Sequence, residues 1–192
     1  MFDLDRFVAD CLAAYQQEKS QKAVCEVLAR AMADPNSVLK ALGEPRRPEI
    51  RALYQSKELT ITNLVWAPKM SVPPHDHTMW ANIGLYTGRE DNIFWRRTPG
   101  DPNAIEAAGA RSLAASEATP LGANIIHSVL NPTNQLTAAI HIYGGDFFTA
   151  ERSEWDSLTL EKHRFDGELA RLRFEEANAL YQATRSETKK PH

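Results

Sequence analysis

Short segments with the alternating pattern of β-strands follow one another through the middle of the chain, and this limits the fold more than any other feature. The stretch LTITNLVW predicts one strand, WANIGLYTGREDNIFWRR predicts two around a turn over residues 87–92, and ANIIHSVLNPTNQLTAAIHIYGG predicts two more around NPTNQ. The intervening TPGDPNAIEAAGA is expected to be a Pro/Gly-rich loop. Such a series is typical of a β-barrel or double-sheet jelly roll, whose interior can receive ligand side chains.

Helical periodicity flanks this region on both sides. Apolar residues recur at helical spacing over residues 3–32, and DPNSVLKALGEP contains a short helix that Gly43 and Pro45 end. Near the C-terminus, FDGELARLRFEEANALYQATRSE predicts an amphipathic helix that packs against the barrel or a second subunit. The apolar stripe of that helix consists of Phe165, Leu169, Leu172 and Leu180.

The 192 residues are expected to form one mainly β domain. N-terminal helices would occupy residues 1–45, the barrel residues 49–150, and a helical extension residues 151–192. A net charge of −3 without a basic stripe argues against a nucleic-acid partner. No stretch approaches the roughly 18 apolar residues of a membrane span, and the acidic start does not resemble a secretory signal. The two cysteines, Cys11 and Cys25, are expected to be reduced thiols of a cytoplasmic protein.

Three histidines in predicted strands are candidate metal ligands. His75 and His77 are separated by one residue, so in an extended strand their imidazoles lie on the same side, with Asp76 on the other. His127 lies in a later strand, in PLGANIIHSVLNP, 50 positions after His77. Neutral imidazoles are common metal ligands, and we therefore expect these three side chains to bind one divalent ion.

The first histidine motif resembles that of the cupin superfamily, in which His-x-His is followed by an acidic residue and then a glycine. His75, His77 and Gly88 match this motif, but the place of the glutamate falls on Ala81 or Asn82. Without that carboxylate, a bound ion keeps its full double charge. It should then favour an anionic substrate that binds the metal directly, and a thiolate is a suitable soft ligand.

The second cupin motif, Pro-x-Gly before a histidine and an asparagine four residues after it, is also matched. The matching residues are Pro120, Gly122, His127 and Asn131. Four residues separate Gly122 from His127 where two are usual. The resemblance implies a double-stranded β-helix, which is a small jelly-roll barrel.

Within the cupins, a three-histidine site is similar to that of the thiol dioxygenases, which include cysteine dioxygenase and 3-mercaptopropionate dioxygenase. HDHTMW resembles the bacterial mercaptopropionate-type segment, and AIHIYGG resembles the strand that carries the outer-sphere His and Tyr of that group. The resemblance covers roughly residues 49–155. It implies that His141 and Tyr143 are catalytic, with Tyr143 held by His141 and donating a hydrogen bond. The serine of the relatives is replaced by Ala139.

Two arginines match substrate-binding positions of this group. Arg152, nine residues after Tyr143, fits the bacterial mercaptopropionate pattern. Arg51, in the first barrel strand, fits the cysteine dioxygenase pattern if a short gap is allowed. Either guanidinium could pair with a substrate carboxylate through a bidentate contact.

The resemblance implies an Fe(II)-dependent dioxygenase that uses O2 to convert a small thiol acid, similar to cysteine or 3-mercaptopropionate, into a sulfinate. One ion is expected, and other divalent metals suit the same ligands. Two alternatives remain open: a metal-binding cupin with a non-catalytic regulatory or binding role, and a three-histidine dioxygenase that acts on a non-thiol substrate such as a diketone. The sequence leaves room for a homodimer.

Overall fold

The N-terminal region consists of helices, as predicted, but the pattern over residues 3–32 forms two of them. The structure, a computed structural model, describes residues 1–188, so positions 189–192 of the predicted extension lie outside the described residues. The first helix ends at Lys19, which adopts the left-handed conformation, and the hydroxyl of Ser20 then caps the second helix. The three helices are α1 (Leu4–Glu18), α2 (Gln21–Met32) and α3 (Pro35–Leu42).

The strands of the described residues form two antiparallel sheets. In spatial order, the first sheet contains β1 (Glu49–Gln55), β2 (Thr60–Trp66), β9 (Thr137–Tyr143), β4 (Ala81–Thr87) and β7 (Ala118–Leu121). The second contains β11 (Lys162–Arg164), β10 (Ser153–Trp155), β3 (Ser71–Asp76), β8 (Ile126–Leu130), β5 (Arg89–Thr98) and β6 (Asp101–Ala114).

The chain passes repeatedly from one sheet to the other. From β2 to β5, and again from β7 to β10, each successive strand lies in the opposite sheet. This connectivity is that of a jelly roll. The structure therefore confirms the predicted fold class, a mainly β double-stranded β-helix with helices at both ends.

The first sheet is buried on both faces, which explains why its central strands show little alternation in polarity. Every residue of β2 and β9 is buried. One face packs on the N-terminal helices, where Ile61 and Ile140 join Leu28 and Met32 in one apolar cluster. The opposite face, which carries His141, is turned toward the second sheet and forms one wall of the barrel interior.

Two segments that the sequence predicts to be turn or loop are in fact strands. Only Gly88 separates β4 from β5, so most of residues 87–92 belong to β5. The predicted loop TPGDPNAIEAAGA lies largely within β6, which pairs with β5. A proline is tolerated there because β6 lies at the edge of its sheet, where a missing N–H leaves no neighbouring strand unpaired.

The predicted C-terminal helix is present as α4 (Gly167–Thr188), but three of the four residues of its predicted apolar stripe are exposed, and the fourth, Phe165, precedes the helix and packs on Arg152. Phe174 is buried instead, with its ring 5.5 Å from that of Trp66. The helix thus contacts the barrel along a narrower strip than the predicted apolar stripe. That a second subunit covers the outer face of the helix stays a prediction. None of the described helices has the length and apolar character that crossing a membrane requires. The exposed members of the stripe are Leu169, Leu172 and Leu180.

Replacing Gly88 by alanine should lower the free energy of unfolding by roughly 1–3 kcal/mol. Its φ of 73° is strained for other residues, and an added Cβ would lie 2.2 Å from the Oγ1 atom of Thr137. Gly109→Ala is the matched control, since a Cβ there meets nothing within 4 Å. Urea denaturation of both variants tests this, and equal stabilities would contradict it.

Candidate metal centre

The structure brings His75, His77 and His127 together inside the barrel. Their ligating nitrogens all lie within 4.8 Å of one another, and the Nε2 atom of His77 is 3.2 Å from the Nε2 atoms of both others. His75 pairs directly with His127 across β3 and β8, and His77 follows the last residue of β3. As predicted, Asp76 faces the other way, where its carboxylate accepts the backbone N–H of Ser153 at 2.8 Å.

Hydrogen bonds on the far side of their rings orient two of the three histidines. The Nδ1 atom of His75 lies 2.9 Å from the carbonyl oxygen of Pro73, and that of His127 lies 2.7 Å from the Oδ1 atom of Asn92. Both oxygens only accept hydrogen bonds, so each Nδ1 carries the proton. The Nε2 lone pairs of His75 and His127 therefore point into the shared space, as they do in metal sites.

The buried imidazoles are neutral at pH 7. Burial lowers the pKa of His75 to about 4, and it lowers the pKa values of His77 and His127 well below their ordinary range. Neutral nitrogens that face one another at 3.2 Å cannot all be satisfied by shared protons. Metal–nitrogen bonds of about 2.0–2.1 Å would place neighbouring ligand atoms at about this separation. The group could therefore hold one divalent ion.

Tyr143 and His141 lie next to this group on β9. The hydroxyl of Tyr143 is 3.1 Å from the Nδ1 atom of His141, and its ring meets that of His77 edge-on, with centroids 5.2 Å apart. Phe147 stacks on the other face of Tyr143, with centroids 3.9 Å apart. Burial raises the pKa of Tyr143, so the hydroxyl keeps its proton at neutral pH. The predicted pair is thus placed beside the three histidines.

Of the two predicted substrate arginines, the structure brings only Arg152 to this region. It follows the loop that carries Phe147, and its charge helps to disfavour protonation of His75 and His77. Arg51 pairs with Asn63 across β1 and β2 and so lies on the face of the sheet turned away from the barrel interior. Its guanidinium is half exposed and lies 3.2 Å from the carboxylate of Glu49.

Arg152 is a buried cation that forms no ion pair with the described residues, although the charges of Asp76 and Glu154 act on it from a distance. Its side chain lies between the rings of Phe147 and Phe165, at 4.0 and 3.9 Å from their centroids. Its Nε atom is buried without a hydrogen-bond partner, and among residues 1–188 no carboxylate forms an ion pair with it. Such a group is costly to bury, and an anion that formed a hydrogen bond with it would offset part of this cost.

Two further residues of the site, Glu90 and Asn92, were not found by the sequence analysis. Both are buried in β5, and the Nδ2 atom of Asn92 donates to the carboxylate of Glu90 at 3.0 Å. They lie at i and i+2, the spacing that places His75 and His77 on one side. This signal was hidden because Gly88, Asp91 and Asn92 in GREDN favour turns.

No model of a protein family matches this sequence. Its backbone is similar to an RmlC-like cupin family protein with a double-stranded β-helix fold from Methanocaldococcus jannaschii, at a TM-score of 0.45 and 8% identity over 55% of this chain and 86% of that one. For a cupin superfamily protein from Desulfitobacterium hafniense, the TM-score is 0.43 at 19% identity, over 56% of this chain and 88% of that one. For an oxalate oxidase in complex with the substrate analogue glycolate, the TM-score is 0.40 at 12% identity, over 54% of this chain and 53% of that one. These likenesses concern strand arrangement over about half of the chain and carry no information on activity.

Removing one histidine of the group should abolish stoichiometric metal binding. His77→Ala and His127→Ala each leave two imidazoles, which hold a divalent ion too weakly to survive desalting. His163→Gln is the control, because His163 is exposed on β11. Metal analysis after Fe(II) or Zn(II) loading should give one ion per chain for the wild type and the control. Unchanged stoichiometry in the folded alanine variants would exclude this site.

The metal-free protein should lose stability as the pH falls below about 6.5, the ordinary pKa of histidine. The unfolded chain takes up protons there, whereas His75 stays neutral in the folded state down to about pH 4. The unfolded state thus binds more protons in this window, so stability falls with pH by about 1.4 kcal/mol per pH unit for each such histidine.

Urea denaturation in EDTA at pH 7.5 and 5.5 measures this loss. His75→Asn should make the loss smaller, while His163→Gln should leave it unchanged. Equal pH dependence of wild type and His75→Asn would show that His75 is not neutral in the folded protein.

Proposed function

We propose that this protein is an Fe(II)-dependent dioxygenase that oxidises a small thiol acid to a sulfinate. The observation that carries the proposal is the buried guanidinium of Arg152, which forms no ion pair, beside three neutral histidines. A site with these two features suits a ligand that has a carboxylate at one end and a metal-binding group at the other. A small thiol acid has this arrangement.

Arg152 would bind the substrate carboxylate. The phenyl rings of Phe147 and Phe165 cover the faces of the guanidinium, so only its N–H edge is available to a ligand. A charge-assisted hydrogen bond in this buried setting is stronger than one exposed to water. The thiol end of the substrate would then be directed toward the histidines.

His75, His77 and His127 would hold the iron, which when bound would supply binding and activation for the thiolate and O2. Tyr143 would place its hydroxyl beside the reacting groups, in an orientation fixed by its contact with His141. Phe147, stacked on Tyr143, would exclude water from this side of the pocket.

The acidic residues nearest the histidines are already engaged. Asp76 accepts hydrogen bonds from Ser153 and Arg97, and both carboxylate oxygens of Glu154 bind Arg173, at 2.6 and 2.7 Å. Neither carboxylate is available to pair with a substrate ammonium group. This favours a thiol acid without an amino group, such as 3-mercaptopropionate, over cysteine.

The buried charge of Arg152 also argues against a diketone substrate, which brings no carboxylate to offset it. The test is anaerobic loading with Fe(II), followed by oxygen uptake with 3-mercaptopropionate, cysteine and propanethiol. We expect uptake with formation of a sulfinate, fastest with 3-mercaptopropionate and slowest with propanethiol. Binding of the thiol acids without oxygen uptake would instead support a non-catalytic binding role.

Replacing Arg152 by methionine should raise KM for the thiol acid by about a hundred-fold, as expected when a charge-assisted hydrogen bond is lost. Arg51→Met is the matched control and should leave KM unchanged, because Arg51 faces away from the barrel interior. Steady-state oxygen uptake measures both. The reverse result would assign carboxylate binding to Arg51.

Tyr143→Phe should lower turnover by roughly ten- to a thousand-fold while the protein still folds and binds iron. The substitution removes only a hydroxyl that contacts His141 and is not among the three converging nitrogens. Oxygen uptake together with metal analysis measures both effects. Loss of the metal would make Tyr143 a ligand, and wild-type turnover would exclude a role for its hydroxyl.

A further inference from the structure

The carboxylate of Glu90 is completely buried in the barrel interior, on the far side of His141 from Tyr143. It accepts the indole N–H of Trp66 at 2.9 Å and the amide of Asn92 at 3.0 Å. Its Oε2 atom also lies 3.6 Å from the Nε2 atom of His141. Glu90 takes no part in the proposed binding of metal or substrate, yet a buried carboxylate is costly to retain.

Glu90 is held as a carboxylate. Burial alone would raise its pKa, but the nearby His141 ring and the hydrogen bonds from Asn92 and Trp66 outweigh burial and lower it. An ionised carboxylate only accepts hydrogen bonds, so each group that faces it must be a donor. Trp66 and Asn92 meet this condition through their N–H groups, and His141 meets it only if its Nε2 atom carries a proton.

We propose that Glu90 is a positioning residue, which fixes the Nε2–H tautomer of His141 and through it the orientation of the Tyr143 hydroxyl. With the proton on Nε2, the Nδ1 atom of a neutral His141 is an acceptor. The hydroxyl 3.1 Å away then donates to it.

Among the described residues, Glu90 is the group in place to perform this task. The Nε2 atom of His141 is buried and has no hydrogen-bond partner, and at 3.6 Å the carboxylate is just beyond hydrogen-bond distance. A small rotation of the ring would close this gap. Ala139, which shares a face of β9 with His141, offers no polar group.

The same carboxylate also orients one of the candidate metal ligands. By accepting the Nδ2 group of Asn92, it turns the Oδ1 atom of that side chain toward the Nδ1 atom of His127. One buried charge therefore sets the hydrogen-bond direction on both sides of the pocket. Outer residues of this kind commonly change affinity or activity by about 10- to 100-fold when they are replaced.

Glu90→Gln keeps the size of the side chain but presents an amide, which can donate to the Nε2 atom of His141. We expect His141 to change to the Nδ1–H tautomer in this variant. Nitrogen NMR of isotope-labelled, metal-free protein distinguishes a protonated from an unprotonated ring nitrogen, and His141→Asn assigns the signals. The control is Asp91→Asn, on the same strand and paired outward with Arg89.

The NMR result does not depend on the proposed function. Wild-type and Asp91→Asn proteins should show the Nε2–H tautomer, and Glu90→Gln should not. An Nδ1–H tautomer in the wild type would overturn the proposal, even if Glu90→Gln failed to fold. The same tautomer in wild type and folded Glu90→Gln would also overturn it.

The effect on turnover rests on the proposed dioxygenase function. On a verified thiol substrate, Glu90→Gln should lower kcat by roughly 10- to 100-fold with little change in KM, since substrate binding by Arg152 is intact. If Glu90 acts through His141, the double variant with His141→Asn should lose no more than His141→Asn alone. Additive losses would overturn the route through His141 and show that Glu90 acts on turnover through Asn92 and His127 instead.

Discussion

The direct pairing of His75 with His127 across β3 and β8 is the contact on which the rest of the site depends. Successive residues of a strand point to opposite faces, so a slip of one residue would turn His127 out of the barrel. Asp76 helps to hold this register from the outside, because its carboxylate ties the end of β3 to Ser153 at the start of β10. Backbone pairing, rather than any flexible loop, thus sets the distances between the three nitrogens.

Around that pairing, the polar groups inside the barrel form one connected network. Glu90 links Trp66 and Asn92, and Asn92 continues to the ring of His127. On the other side, Glu90 faces His141, which contacts the Tyr143 hydroxyl. A buried polar network is stable only when its members satisfy one another, and such networks favour one arrangement of a core over others. The apolar cluster behind β2 and β9, packed on the N-terminal helices, supports this wall from outside.

Those parts of the site that depend on strand periodicity could be predicted from the sequence. His75 and His77 lie at i and i+2, as do His141 and Tyr143, and in both pairs the period alone places the side chains on one side. Gly88 could be recognised from the sequence as a turn residue, but the sequence did not show that the turn consists of little more than this one residue. That required the pairing of β5 with β6, which no local pattern reveals.

Features that depend on tertiary contacts could not be predicted. Arg152 fitted one family pattern and Arg51 fitted another if a short gap was allowed, and only the structure showed that Arg51 faces outward and Arg152 lies beside the histidines. The helical stripe through Leu169 satisfied the 3.6-residue period, yet the barrel offers α4 a contact surface centred on Phe174. Periodicity indicates that a face is apolar but not how much of it will be covered.

Under the proposed function, the buried charge of Arg152 would link recognition to the stability of the whole domain. The rings of Phe147 and Phe165 offset only part of the cost of burying this cation, so a bound carboxylate should stabilise the native state as well as occupy the site. Selection for thermal resistance alone would favour an uncharged side chain at this position. At position 152, the residue that would best serve substrate binding therefore differs from the one that would best serve thermal stability.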